Sequence, residues 1–351
     1  MQNPSMAEPR WFILGPGALG CLWASMLAAA GADVVLAGRD RLPAPSQGKQ
    51  LTLRYRSIFA PSTEQAFTVT ATCPAAMRKA GVSIARLLVT TKAYDAVGAL
   101  RTILDLLSED ACVVTLCNGL GFHEKYLALL GGLQPGQKNR RQYYAATSSE
   151  GALLERPAQV LHTGRGLTRV GPYPQGGPPA GIHGGALELS RLLPFPETLP
   201  LACEYASNIK IAVLQKAMVN CAINPLTALF RCRNGELLDN PLYYARFLEL
   251  CNELQDVYNV LVSEPGKIAN AYTADAGTSR DVPAFDVLAS ACGIARATAA
   301  NQSSMLRDFM ARRPLELEAM NIHVVKLAAQ LSMDCPINRL LIHQLQSETA
   351  A

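Results

Sequence analysis

Apolar and polar positions alternate in two different rhythms along this chain. Trp11-Phe-Ile-Leu14 reads as a short buried strand, and an apolar helical run follows to Ala30, where Gly31 stops it. Ala32–Ala37 reads as a second buried strand, so a βαβ unit opens the sequence. Leu51–Phe59 and Ala66–Ala71 are rich in Thr, Tyr and Phe and alternate like exposed antiparallel strands. Ala85–Thr90 and Ala111–Cys117 are further buried strands, with helices predicted over Tyr94–Leu107 and from Gly119 to about Leu130. Tyr143–Thr147 and Ala158–Val170 read as extended, ahead of a Pro/Gly-rich stretch at 171–185. From Asn208 to Thr349 the period is almost entirely helical. Its expected breaks are Asn224-Pro225, Asn240-Pro241, Glu264-Pro-Gly266, Val282-Pro283, Arg313-Pro314 and Cys335-Pro336.

Strand–helix alternation followed by helices alone predicts two domains. The first, residues 1–205, is expected to be a doubly wound α/β domain, and the second, residues 206–351, all-α. The length of 351 residues suits two domains. Composition narrows the function classes. Charged residues make up 17% and the AVILMFWYC set 49%, which excludes extended disorder. The net charge of +4 has no basic block behind it, so nucleic acid is excluded as a partner. No apolar run approaches the ~20 residues needed to cross a bilayer, so no membrane partner is expected either. The ten cysteines include no C-x-x-C pair and most sit in apolar runs. They read as free thiols in a reducing cytoplasm, and no His/Cys spacing suggests a metal.

Candidate chemistry begins at Gly15-Pro16-Gly17-Ala18-Leu19-Gly20, a G-x-G-x-x-G between strand and helix. The glycines permit a tight turn, close approach to a pyrophosphate, and helix–strand packing, while the helix N-terminus attracts the anion. Dinucleotide binding by a Rossmann-type domain is the expectation, with S-adenosylmethionine as the alternative ligand. At the end of the second strand, Gly38 leaves the usual acidic position empty and Arg39 can fork onto a 2′-phosphate. NADPH is therefore favoured over NADH, although Asp40 remains a candidate displaced acid.

Lys216, Asn220 and Asn224 fall at i, i+4 and i+8, which drifts by only about 40° per step around a helix. Their neighbours are apolar, so three polar groups share one stripe of a largely buried helix. Two arrangements satisfy them: a hydrogen-bond ladder to other helices, or a groove facing a ligand. A lysine beside neutral amides suits a carbonyl that must be protonated as hydride arrives.

Lys216-Ala-Met-Val-Asn-Cys-Ala-Ile-Asn-Pro-Leu-Thr-Ala, followed by Asn234-Gly-Glu-Leu, resembles the signature of the ketopantoate reductases (2-dehydropantoate 2-reductases). So do Asn301-Gln-Ser-Ser304-Met-Leu-Arg-Asp308 with Glu316 beyond it, Val89-Thr-Thr-Lys92-Ala, and Cys117-Asn118-Gly119-Leu-Gly121. The resemblance spans about Phe12 to Leu345. It implies NADPH-dependent reduction of ketopantoate to pantoate, the step that supplies pantothenate and coenzyme A. It implies Lys216 as proton donor, and Asn220, Asn224, Asn234 and Ser304 as holders of the substrate's carboxylate and hydroxyl. It further implies Asn118 in contact with substrate and cofactor, and Lys92, Ala152 and Glu316 with cofactor. Two positions depart from the family's habit. Its Trp two residues before the lysine is Leu214 here, and its Thr-His-Gly-Ala-like stretch is Ser149-Glu150-Gly151-Ala152. A reductase of another branched 2-keto acid shares this machinery, and a non-catalytic NADP-binding sensor is the alternative outside enzymes. A monomer and a homodimer are both compatible with the sequence.

Overall fold

A computed structural model describes residues 10–38, 48–131, 140–173, 195–196, 198–263 and 284–350. The described chain falls into two compact units, Met1–Cys117 with His123–Ile209, and Asn118–Phe122 with Lys210–Ala351. A five-residue segment of the first half thus belongs to the helical second unit.

The first unit is built on an 11-stranded mixed sheet. In chain order its strands are β1 (Trp11–Leu14), β2 (Val34–Ala37), β3 (Lys49–Ser57), β4 (Ala60–Thr72), β5 (Ile84–Val89), β6 (Leu107–Thr115), β7 (Gln142–Ser148), β8 (Gly151–Arg156), β9 (Gln159–Gly164), β10 (Thr168–Pro172) and β11 (Cys203–Tyr205). Helices α1 (Ala18–Ala29), α2 (Pro74–Lys79), α3 (Ala93–Arg101) and α4 (His123–Gly131) connect them. The spatial order is β11-β10-β7-β6-β5-β1-β2-β4-β3-β9-β8. Its centre, β4-β2-β1-β5-β6-β7, is wholly parallel. From β1 the chain runs outward through β2 to β4, then returns to β5 on the other side of β1. That reversal is the point where doubly wound sheets place ligands, beyond the carboxyl ends of the strands.

All four residues of β1 and of β2 are buried, as expected for parallel strands covered on both faces. Helix α1 is buried from Gly20 to Leu27 because β8 and β9 pack against it along with β2 and β4. Trp11 and Trp23 anchor this core, and the Trp23 ring lies 4.7 Å from that of Phe195.

Several elements differ from the pattern read in the sequence. The helix expected over Tyr94–Leu107 ends at Arg101, and a single 3-10 turn at Leu104–Leu106 leads straight into β6. Thr102 ends it by turning its hydroxyl back onto the Ala99 carbonyl at 2.7 Å, a local bond that competes with helix continuation. Ala158–Val170 is two strands, and an unforeseen one, β8, precedes them.

The second unit contains α5 (Ile209–Phe230), α6 (Glu236–Asp239), α7 (Pro241–Ser263), α8 (Val287–Ala297), α9 (Ser304–Met310), α10 (Asn321–Gln330) and α11 (Pro336–Ala350). Side chains of α7 at Phe247, Leu250, Cys251, Leu254, Val257, Tyr258 and Leu261 are buried at helical spacing, the stripe a core-facing helix needs. Asp286 and Ser303 cap α8 and α9 by accepting from Ala289 N and Leu306 N.

The break expected at Asn224-Pro225 does not occur, since α5 runs through Pro225 to Phe230. Proline at this position has no N–H for the carbonyl four residues earlier, which is that of Cys221. The Asn321 amide donates to that Cys221 carbonyl instead, at 3.0 Å. The helix therefore survives because a residue far along the chain replaces the missing donor.

Candidate active site

In the first unit the glycine turn follows β1 directly. Gly15 has φ +110°, a region that L side chains avoid, and a Cβ there would stand 2.8 Å from the Thr91 backbone nitrogen. A Cβ on Gly20 would meet the Gly15 carbonyl oxygen at 2.1 Å, so this glycine lets α1 sit against the turn. Gly17 is different. A Cβ there would touch nothing among the described residues within 4 Å, and the residue is exposed at the N-cap of α1. Two of the three glycines serve the protein's own packing, while the third leaves open space where a ligand's phosphates would approach. The first turn of α1 contains no acidic residue, so nothing there opposes an anion.

Pro16, Ala18 and Leu19 complete the turn; the Pro16 carbonyl accepts from Cys21 Sγ at 3.7 Å. Thr90, just past the end of β5, donates from its hydroxyl to the Gly15 carbonyl at 2.7 Å. Sequence reading did not single out Thr90, although Thr at this point of the Val-Thr-Thr-Lys run was visible. Lys92 stands at the N-cap of α3, two residues past Thr90 at the same sheet edge. These residues fit a dinucleotide cradle. Arg39 lies outside the described residues.

Ala152 is placed differently from the glycine turn. It pairs with His162 across β8 and β9 and packs against the apolar cluster around Trp23. Glu150, in the same departing stretch, is held by His162, whose Nε2 lies 2.6 Å from Oε2 of the carboxylate.

In the second unit Lys216 Nζ donates to Asn118 Oδ1 at 2.9 Å. Asn118 reaches it through the short segment Asn118–Phe122, whose Gly119 has φ +93° and would place a Cβ 2.5 Å from the Ala319 carbonyl oxygen. Leu120 N–H donates to that same carbonyl at 2.7 Å. Only a glycine lets the segment lie this close to the 3-10 turn Glu316–Ala319, which in turn supplies Glu316, a buried carboxylate.

Lys216 keeps part of its surface open, yet the protein crowded around its ammonium excludes water. That desolvation pulls its pKa from 10.5 down to about 8, and the Glu316 charge pulls in the other direction. The group is therefore an acid poised near neutrality.

Asn220 and Asn224 lie one and two turns further along α5. Their carboxamides make no hydrogen bond among the described residues, so the interhelical ladder that the stripe allowed is not formed. Ser304 opens α9, immediately after its cap Ser303, whose Oγ lies 2.7 Å from the Thr227 hydroxyl on α5. Asn234 is buried on the turn before α6, and its Nδ2 donates to Thr298 Oγ1 at 2.8 Å. Thr227, Thr298 and Ser303 were not foreseen, being ordinary helix-end residues in sequence.

A Rossmann sheet with a glycine turn, joined in one chain to a helical unit bearing a tuned lysine and free amides, defines a nicotinamide-dependent oxidoreductase. Comparison with known proteins makes the assignment particular. Residues 11–175 match the family "Ketopantoate reductase PanE/ApbA" and residues 208–348 match "Ketopantoate reductase PanE/ApbA C terminal". A 2-dehydropantoate 2-reductase of Vibrio cholerae is 29% identical over 339 residues, covering 95% of this chain and 96% of its own. The crystal structure of a PanE/ApbA family ketopantoate reductase from Ralstonia eutropha JMP134 superposes with a TM-score of 0.73 at 22% identity, covering 97% of this chain and 99% of the other. A ternary structure of D-mandelate dehydrogenase with NADH and anilino(oxo)acetate gives the same TM-score, 0.73, at 19% identity and the same two coverages, 97% and 99%. The chain belongs to the ketopantoate reductase family.

Proposed function

We propose that this oxidoreductase reduces 2-dehydropantoate (ketopantoate) to pantoate with NADPH, the reaction that feeds pantothenate and coenzyme A synthesis. The observation that supports this best is the Lys216 ammonium: bonded to Asn118, desolvated to a pKa of about 8, and heading a stripe of two unbonded amides. A carbonyl oxygen gaining charge needs such a donor, and a carboxylate and hydroxyl need such amides.

Gly15, Pro16, Gly17, Ala18, Leu19 and Gly20 with Lys92 are the residues that would hold the dinucleotide, and Arg39 is the one suited to a 2′-phosphate. Held by these residues, a reduced nicotinamide would supply the hydride for the new C–H bond as the carbonyl π bond breaks. Lys216 Nζ then gives its proton to the oxygen that bond leaves, forming the hydroxyl, and recovers a proton from solvent. Asn118 holds the lysine's Nζ in place through the 2.9 Å bond. Glu316 keeps Lys216 in its charged form over a wider pH range than burial alone would allow. Asn220, Asn224, Asn234 and Ser304 orient the substrate by neutral hydrogen bonds, which adds no second cation beside Lys216. The ten cysteines form no disulfide among the described residues, which suits the cytoplasm.

The test is steady-state turnover with NADPH and NADH against a panel of branched 2-keto acids. Ketopantoate with NADPH is expected to give the highest kcat/KM. A higher value for another keto acid, or for NADH, would replace the substrate or the cofactor in this reading.

A further inference from the structure

The turn bearing Asn234 docks on the segment after α8. Asn234 N–H donates to the Asn301 carbonyl at 3.0 Å and Gly235 N–H to the Ala299 carbonyl at 3.1 Å. Within this dock the Asn234 side chain is asymmetric. Its Nδ2 donates to Thr298 Oγ1, whereas its Oδ1 is buried and has no hydrogen-bond partner among the described residues. Asn234 is only 7% exposed, so water does not readily serve that oxygen. Native folds leave few such acceptors unmet.

Which end of an amide faces which way needs a chemical argument, because the two ends have nearly the same shape. Thr298 provides it. Its Oγ1 stands 2.6 Å from the Ile294 carbonyl oxygen, a separation at which two oxygens share a proton. A hydroxyl has one proton, and here it points at Ile294. Toward Asn234 the Thr298 oxygen can therefore only accept. The NH2 end must face it, and the carboxamide oxygen is the end left over.

We propose that Thr298 is a positioning residue that fixes the Asn234 amide so that its Oδ1 accepts from a hydroxyl carried by the substrate. The inference rests on the reading above, that a 2-keto acid is reduced at Lys216. The carboxylate and keto oxygens of such a substrate are acceptors only, so neither can satisfy Oδ1. The same inter-helix segment leads to Ser303, whose hydroxyl meets Thr227 beside Asn224, so Asn234 is anchored to the end of α5 that bears the free amides. An acceptor held there selects a keto acid with a hydroxyl on its branched end over the isosteric acid without one. Discrimination of this kind is strong where a site is built to pair a hydroxyl.

The experiment compares ketopantoate with 3,3-dimethyl-2-oxobutanoate, which differs only in lacking the terminal hydroxyl. Wild-type protein, Thr298→Val and Thr298→Ser are assayed with both acids. The wild type is expected to favour ketopantoate, chiefly through KM. Thr298→Val keeps the shape but frees the amide to turn, and is expected to lower that preference tenfold or more while leaving kinetics on the deoxy acid within about twofold. Thr298→Ser is expected to restore it. An unchanged preference in Thr298→Val, or an equal loss on both acids, overturns the inference. So does a wild type that treats the two acids alike, including the case in which Oδ1 meets only the product's 2-hydroxyl, present on both. In each of these outcomes keto acids are still reduced. Turnover of neither acid by the wild type would remove the 2-keto acid reading itself and this inference with it.

Discussion

Lys216 Nζ and Asn118 Oδ1 are 2.9 Å apart although 98 positions separate them in sequence. The bond fixes the ammonium while burial makes it a stronger acid than a surface lysine, with a pKa near 8. With Lys216 as the proposed proton donor, reduction requires its protonated form, which dominates below that value and falls tenfold per pH unit above it. In the direction of keto-acid reduction, kcat/KM is expected to be flat near pH 7 and to decline with an inflection near pH 8. In the direction of hydroxy-acid oxidation the same group must accept a proton, so the dependence reverses. A profile of initial rates in both directions checks this, and a reduction rate that rises through pH 8 contradicts it.

Glu316 is the carboxylate that opposes the effect of burial on Lys216. Glu316→Gln removes that charge and leaves the desolvation, so the pKa of Lys216 must fall further. The alkaline limb of the reduction profile is expected to move to lower pH, with the largest activity loss above neutrality. An unmoved limb would mean that Glu316 does not act on the proton donor.

Gly17 and Gly20 make contrasting predictions. A Cβ at position 20 runs into the Gly15 carbonyl, so Gly20→Ala is expected to lower Tm by several degrees and weaken the cofactor's hold together. A Cβ at position 17 meets no atom of the described residues within 4 Å. Gly17→Ala is therefore expected to keep stability within about 1 kcal/mol while raising the NADPH Kd at least tenfold. Thermal melts with fluorescence titration of NADPH separate the two; equal Tm losses would show that Gly17 is only structural.

Asn321 supports α5 where Pro225 interrupts it, and its Nδ2 also donates to Asn338 Oδ1 at 2.8 Å. Asn321→Ala strands a buried carbonyl and is expected to cost about 1–3 kcal/mol. In a Pro225→Ala background the new N–H can bond the Cys221 carbonyl, so the same change is expected to cost about 1 kcal/mol less. Urea unfolding of the four proteins of this cycle measures the coupling, and strict additivity would exclude the proposed repair.

Local chemistry was the legible part of the sequence. The glycine turn with the buried strands flanking it, and separately the Lys216–Asn220–Asn224 stripe, are each written in a short local stretch, in periods that a chain must obey. Relationships across long separations were not legible. Pro225 reads as a helix end because its remedy, Asn321, is about a hundred residues away. Nothing in Asn118-Gly119 announces that this segment joins the helical unit, since the space beside Ala319 exists only after folding. Strand β8 escaped notice because it has no buried residue, so its alternation is too weak to stand out. Thr298 looks like any residue at a helix end until its hydroxyl proton is accounted for.

The central claim is that Lys216 is the proton donor of a keto-acid reduction. Its most direct test is NADPH oxidation started with ketopantoate at pH 7, for wild type and for Lys216→Ala, with NADPH affinity measured on both. A loss of about 10²–10⁴-fold in kcat with unchanged NADPH Kd is the predicted result. A Lys216→Ala protein that oxidises NADPH at the wild-type rate would contradict the account.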